Sequence, residues 1–173
     1  MTKILVTGAL GQLGSSIKFV SEKREDFLFD YTDLNELDIS NLASLENYVS
    51  MTSPDYIVNC AAYTAVDKAQ SEQELCFQLN AEAVKNIRLA ASRINSKIIH
   101  ISTDYVFNGR NNKPYTEEDI PDPESIYGQS KLKGEIYLHG DLNTIIIRTA
   151  WLYSQFGNNF LKTMARYGKK EMS

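Results

Sequence analysis

The chain has 173 residues, 43% apolar and 23% charged, with 18 basic against 22 acidic side chains and a net charge of −4. That length and composition suit one domain with a packed core, and they exclude a disordered, collagen-like or disulfide-stapled chain. The acidic balance, with a pI near 5.2, argues against nucleic acid as a partner, because binding a phosphate backbone needs concentrated positive charge.

Lys3–Thr7 (KILVT) is a short apolar run ending at Gly8, the pattern of a buried parallel strand. Ile17–Val20 continue an apolar helical face. Phe27–Phe29 predict a second strand ending at Asp30. Leu42, Leu45 and Val49 follow at helical spacing, and Pro54 stops that helix. Tyr56–Asn59 (YIVN) is a third strand. Val66–Ala91 is polar and alanine-rich, with apolar residues spaced for one or two helices. Lys97–Ile101 (KIIHI) and Thr144–Arg148 (TIIIR) are the fourth and fifth strands, with a helix over roughly 126–138 between them. A last helix runs from about Asn158 to Tyr167, after which the chain ends in polar residues.

Strands alternating with helices predict an α/β fold: a doubly wound parallel sheet with helices on both faces. Phe107–Ser125 holds three of the four prolines and five acids, and reads as a long loop. Such loops in compact domains are usually lids or binding segments, the alternative being a solvated acidic turn.

Cys60 and Cys76 form no CxxC pair and read as reduced thiols. His100 and His139 lie far apart without ligand-like neighbours, so no metal is expected. No apolar run approaches the ~20 residues of a membrane helix. The N-terminal apolar stretch breaks at Gly8, unlike a signal peptide. A cytoplasmic location without a membrane partner is expected.

Gly8, Gly11 and Gly14 form a GxxGxxG between strand one and helix one. Gly8 would let the chain turn, Gly11 would let a pyrophosphate approach the backbone, and Gly14 would let the helix pack closely on the sheet. The helix N-terminus would then face the phosphates. A dinucleotide is expected. Asp30, 22 residues after Gly8, is positioned to accept from the adenosine ribose. No Arg or Lys follows it directly, which leans the expectation toward NADH over NADPH. Asp38–Ile39 either lie beside adenine or cap the next helix.

Tyr127 and Lys131 are four apart at the start of a helix, so they share one face. A carbonyl reductase needs a proton donor, and a neighbouring ammonium would lower the tyrosine pKa toward neutrality. The same lysine could bond the nicotinamide ribose. A YxxxK alone is worth little. Its position between strands four and five, on the ligand-binding edge of such sheets, makes it informative. A hydroxyl to hold the carbonyl comes from Ser102 or Thr103, and alternation along the strand lets only one face the site.

Seven collinear segments carry a family resemblance: TGALGQLG, PDYIVNCAAYTAVDKA, LNAEAVKNIRLA, HISTDYVFNG, PYTEED, YGQSKLKGE and IRTAWLY. Through them the chain resembles the extended short-chain dehydrogenase/reductases and, within these, the dTDP-4-dehydrorhamnose reductases. The resemblance implies a Rossmann-type NAD(P)-binding domain over residues 1–173, with a lid-like loop at about 107–125. It implies NAD(P)H-dependent reduction of the 4-keto group of dTDP-4-dehydro-L-rhamnose to dTDP-L-rhamnose, a precursor of cell-surface polysaccharide. It assigns Thr103, Tyr127 and Lys131 to catalysis. Gly11, Gln12 and Leu13 would line the pyrophosphate, Asp38 and Ile39 the adenine, and Ala62, Tyr63 and Thr64 the cofactor from the loop after strand three. Asn80 would support a water network at the site. Asp104 and Trp151, with Thr103, would contact substrate.

Two departures from the family stand out. Its members run on past this point into a C-terminal substrate lobe, so a chain without it is expected to hold cofactor and grip substrate poorly. Some members dimerise through a metal held by a glutamate just after the third glycine. Here Ser15 and Ser16 stand there, so that metal site is expected to be absent, and a homodimer is one assembly the family allows. The competing readings are a non-catalytic dinucleotide-binding subunit like the regulator of methionine adenosyltransferase, or another sugar-nucleotide reductase or epimerase.

Overall fold

The computed structural model describes residues 1–171. Five strands, β1 (Thr2–Thr7), β2 (Phe27–Thr32), β3 (Tyr56–Asn59), β4 (Lys97–Thr103) and β5 (Thr144–Thr149), form one sheet in the order β2-β1-β3-β4-β5. All pairs are parallel. The helices are α1 (Gln12–Ser21), α2 (Leu42–Thr52), α3 (Gln73–Phe77), α4 (Ala83–Arg93), α5 (Ile126–Leu138) and α6 (Phe160–Glu171). The chain reverses direction across the sheet between β1 and β3. That is the switch point at which doubly wound sheets open a crevice beyond their C-terminal strand ends.

One face of the sheet carries the main core. Leu5, Ile57 and Ile98 point into it from three neighbouring strands, against Leu45 and Val49 of α2, Val84, Ile87 and Ala90 of α4, and Leu138 of α5. Their burial follows from period-2 alternation in the strands meeting 3.6-residue periodicity in the helices. The opposite face is less complete at β5, where Ile145 is 59% and Ile147 45% exposed. A run such as TIIIR reads as a strand buried on both sides. Here it is half-buried on one face, through Ile146, and exposed on the other.

The alanine-rich stretch begins with a 3-10 turn at Lys68–Gln70 and continues as α3, a π turn over Gln78–Glu82, and α4 without a break. The π turn inserts an extra residue into the helical repeat, a feature that often marks functional sites. It presses the Asn80 carbonyl against Gly134 of α5, where a Cβ would collide with that oxygen. Thus α5, the helix carrying Tyr127 and Lys131, is seated against the π turn.

Candidate active site

The glycine loop joins β1 to α1 below the β1–β3 switch point. Gly8 has φ +67°, and a Cβ there would stand 2.6 Å from the Ala61 nitrogen and 2.8 Å from the Cys60 carbonyl carbon. Only glycine suits that turn. Gly11 differs, because the one atom near its missing Cβ is the Gly8 carbonyl oxygen at 3.2 Å. Gly11 is the N-cap of α1 and brings no side-chain cap, and no acid lies in the first helical turn. The first N–H groups of Gln12 and Leu13 therefore face outward, in the arrangement that accepts an anionic group. Gly14 packs against the backbone of Gly8 and Ala9. Its absent side chain thus serves loop-to-helix contact, where helix-to-sheet contact was expected.

Asp30 does not end its strand. It lies within β2, in register with Leu5, and its carboxylate accepts from the Tyr48 hydroxyl at 2.8 Å. The acid at the C-terminal end of β2 is Asp33, which accepts from the Leu10 amide of the glycine loop at 2.9 Å. The acid adjoining the cradle is therefore Asp33. Asp38 accepts from the amide and hydroxyl of Ser40 and does not cap α2, since that cap is Asn41. Ile39 is 5% exposed and belongs to the core.

Thr103 ends β4 and caps the 3-10 turn Asp104–Val106, its Oγ1 accepting from the Tyr105 amide at 3.2 Å and donating to Asp104 at 3.1 Å. Ser102 points the other way and donates to buried Glu135. Alternation thus leaves Thr103 as the hydroxyl beside Tyr127. Ser125 caps α5 by accepting from Gly128 at 3.0 Å, which fixes the first turn and with it Tyr127. Tyr127 is 9% exposed and meets Tyr105 edge to face at 5.6 Å. Burial pushes its phenol above the ordinary value, the Thr103 hydroxyl draws it partly back, and Asp104 pushes it up again.

Lys131 stands on the same helix face and is 2% exposed, its Nζ donating to the Ile101 carbonyl at 2.7 Å. Burial lowers its pKa to about 8, against an upward pull from Glu135. The phenol is raised, where a lowering by this ammonium was expected: burial dominates and the group that draws it down is the Thr103 hydroxyl, while Lys131 donates to Ile101.

Tyr63 and Asn80 form a second fixed pair. Asn80 accepts from the Tyr63 amide at 2.9 Å and donates to the Tyr63 carbonyl and to Ser130 of α5, each at 3.0 Å. Its amide therefore ties the loop after β3 to α5, a direct structural role. The Tyr63 hydroxyl donates to Glu72, while Ala62 is half-buried and Thr64 exposed.

Beside Tyr127 opens a cavity of about 670 Å³ lined by Asp104, Tyr105, Phe107, Tyr115, Ser125 and Trp151. Phe107 and Tyr115 stack at 4.2 Å across the loop between β4 and α5. Trp151 is 67% exposed, with φ +51°. Gln12 is fastened to the segment after β5, donating to the Leu152 carbonyl at 2.7 Å and accepting from Asn159 at 2.9 Å. Sequence reasoning missed Asp33, Tyr105, Phe107 and the Glu135–Arg148 ion pair. Asp33 was reachable by extending the second strand to the next turn signal. The other three depend on long-range packing. Cys60 and Cys76 are both free. Among the described residues no cluster suits a metal ion, and no helix is long and apolar enough to cross a membrane.

The family described as RmlD substrate binding domain matches residues 1–173. A dTDP-4-dehydrorhamnose reductase of Aggregatibacter actinomycetemcomitans is 42% identical over 172 residues, 98% of this chain and 58% of that protein. The crystal structure of a dTDP-4-dehydrorhamnose reductase from Clostridium acetobutylicum superimposes with a TM-score of 0.94 at 42% identity, over 98% of this chain and 60% of that one. The Bacillus anthracis enzyme of the same name, solved in complex with NADP, gives 0.93 at 39% identity, over 98% and 61%. The chain thus spans about three fifths of the length of these relatives. By sequence and by fold, it belongs to the dTDP-4-dehydrorhamnose reductase family.

Proposed function

We propose that this chain forms the dinucleotide-binding and catalytic part of an NAD(P)H-dependent reductase that converts dTDP-4-dehydro-L-rhamnose to dTDP-L-rhamnose, a precursor of cell-surface polysaccharide. One juxtaposition carries the reading. Thr103 at the end of β4 lies beside Tyr127, Lys131 on the same face of α5 reaches the Ile101 carbonyl of β4, and the aromatic cavity opens at Asp104 and Tyr105. Family membership supplies the substrate.

The residues present fit a dinucleotide: the Cβ position of Gly11 opens outward and the first N–H groups of α1 are uncapped. Gly8, Gly11, Gln12, Leu13 and Gly14 would hold the pyrophosphate. Asp33, with Asp38 and Ile39 nearby in sequence, would face the adenosine end. Ala62, Tyr63 and Thr64 would flank the far half, and Asn80 would hold that loop in place. The bound dinucleotide supplies the hydride for the sugar carbonyl carbon.

The chain's residues supply the rest. Tyr127 gives its hydroxyl proton to the carbonyl oxygen. Its phenol holds that proton at neutral pH, the form a general acid requires, although burial makes the proton harder to release. Thr103 turns its one hydroxyl proton from Asp104 to the same oxygen and fixes that oxygen's distance from Tyr127. Lys131 offers its remaining N–H groups to the nicotinamide ribose. Trp151 and Asp104 border the sugar. An acid at the adenosine ribose accepts from its hydroxyls and repels a 2′-phosphate, so NADH is the favoured cofactor.

The test is direct. The purified chain is given dTDP-4-dehydro-L-rhamnose and NADH, and the loss of NADH absorbance is followed. Reduction to dTDP-L-rhamnose supports the assignment. Tight NADH binding with no reduction of this or any 4-keto nucleotide-sugar, even at sugar concentrations high enough to offset a weak grip, would overturn the catalytic part.

A further inference from the structure

Lys131 poses an electrostatic problem that its own hydrogen bond does not solve. It is 2% exposed, and of its three N–H donors one has a partner, the Ile101 carbonyl. An ammonium buried with so little compensation tends to lose its proton. The groups facing it come from every neighbouring element. Cys60, after β3, is held neutral because burial raises its pKa to about 12. Cys76 of α3 is a thiol sharing a hydrogen bond with Ser130 at 3.1 Å. His100 of β4 is 1% exposed, and burial holds it neutral. Tyr127, one turn back on α5, keeps its proton. The remaining group is Glu135, one turn further on, at the i+4 spacing that shares a helix face with Lys131.

Glu135 is itself 5% exposed and firmly placed. It accepts from the Ser102 hydroxyl and from Arg148 of β5, whose Nη2 lies at 2.7 Å and Nε at 3.1 Å. Arg148 in turn lies over the Phe107 ring at 4.9 Å. We propose that Glu135 is the positioning residue that keeps Lys131 charged in its buried site, held there by Ser102 and moderated by Arg148. The inference rests on the proposed function only for what the charge is used for. The charge balance stands on burial, on the i+4 spacing and on the adjoining anchors in β4, Ile101 for Lys131 and Ser102 for Glu135, with no direct Lys131–Glu135 ion pair among the described residues. The lowering of the Lys131 pKa to about 8, with Glu135 the largest opposing influence, agrees with it.

The arrangement predicts shifts of opposite sign from its two ends. Removing the Glu135 charge leaves Lys131 unsupported. Removing the Arg148 charge leaves Glu135 free to act on Lys131 alone. The Lys131 midpoint is read by NMR titration of its side-chain carbon next to Nζ, in the whole chain without dinucleotide, with the signal assigned by its loss in Lys131→Met. Glu135→Gln is expected to lower the midpoint by about one pH unit or more, and Arg148→Met to raise it. An unchanged midpoint in folded Glu135→Gln overturns the proposal. Should Glu135→Gln not fold, Arg148→Met decides alone, and an unchanged or lower midpoint overturns it. Because no dinucleotide is present, a failure here is distinct from a failure to bind NADH, which is measured separately.

Discussion

Replacing Lys131 with methionine is expected to stabilise the fold while removing a group the chemistry needs. Burial draws this ammonium from its ordinary 10.5 down to about 8. A base whose pKa is lower in the folded chain binds fewer protons when folded than when unfolded. Stability therefore rises with pH through the window from about 8 to 10.5, and below that window the charged form is carried at a cost. A shift of this size corresponds to roughly 3 kcal/mol. The lost hydrogen bond to Ile101 takes back about 1 kcal/mol. Lys131→Met should then be more stable than the parent by about 2 kcal/mol at pH 7, and the advantage should fade as pH approaches 10.5. Cys60 and Tyr48, whose pKa values are raised to about 12 by burial, make stability fall above their ordinary values of 9 and 10. Tyr48 does so in both proteins and cancels in the difference, whereas Cys60, drawn down by the Lys131 charge in the parent, keeps a higher pKa in the variant and makes its advantage fade further above pH 9. Urea unfolding without dinucleotide, at a series of pH values from 7 to 10, reads the effect. With a slope of about 1–3 kcal/mol per molar urea, the midpoint moves by roughly 1 M at pH 7. A variant less stable than the parent at pH 7, or a difference that does not change with pH, would refute the reasoning. Natural sites often trade stability for chemistry in this way.

The remaining predictions separate structure from function. Gly8→Ala should cost about 2–4 kcal/mol in unfolding experiments, from its left-handed backbone and the collision with Cys60 and Ala61. Gly11→Val should cost under about 1 kcal/mol, within the range of an N-cap change, yet weaken NADH binding at least tenfold by calorimetry; unaltered binding would show that the cradle lies elsewhere. Asp33→Ala should raise NADPH affinity relative to NADH, whereas Asp30→Ala should leave that ratio alone and cost about 1 kcal/mol through its Tyr48 hydrogen bond. Tyr127→Phe should lower turnover by 100-fold or more with NADH affinity nearly unchanged, and parallel loss of both would make the tyrosine structural.

Much of the fold is legible locally, and the failures have identifiable causes. The helix over Ile126–Leu138 is legible in extent, with Ser125 as its N-cap, yet its buried face of Tyr127, Ser130, Lys131, Gly134 and Glu135 is one that apolar periodicity does not reveal. The second strand is misread because Asp30 resembles a strand-ending turn residue, while its carboxylate is in fact satisfied by Tyr48 of α2, 18 residues away. The strand in fact runs on to Thr32, and the acid that meets the glycine loop is Asp33, three positions later. The π turn around Asn80 shifts helical phase by one residue, which periodicity analysis blurs. The Glu135–Arg148 pair joins a helix to a strand, and Gln12 is tied to Leu152 and Asn159 across 140 and 147 positions. Local patterning carries no sign of either. The YxxxK spacing put Tyr127 and Lys131 on one face, as observed, but where the lysine points its charge is decided by the Ile101 carbonyl at the end of β4.

The central claim is that residues 8–14 and the strand ends around them form a dinucleotide cradle. Calorimetric titration of the purified chain with NADH tests it most directly, with Gly11→Val alongside. The account predicts one NADH per chain for the parent, and loss of binding in a variant that unfolds at nearly the same urea concentration. A folded parent chain that takes up no NADH or NADPH at millimolar concentration would contradict it.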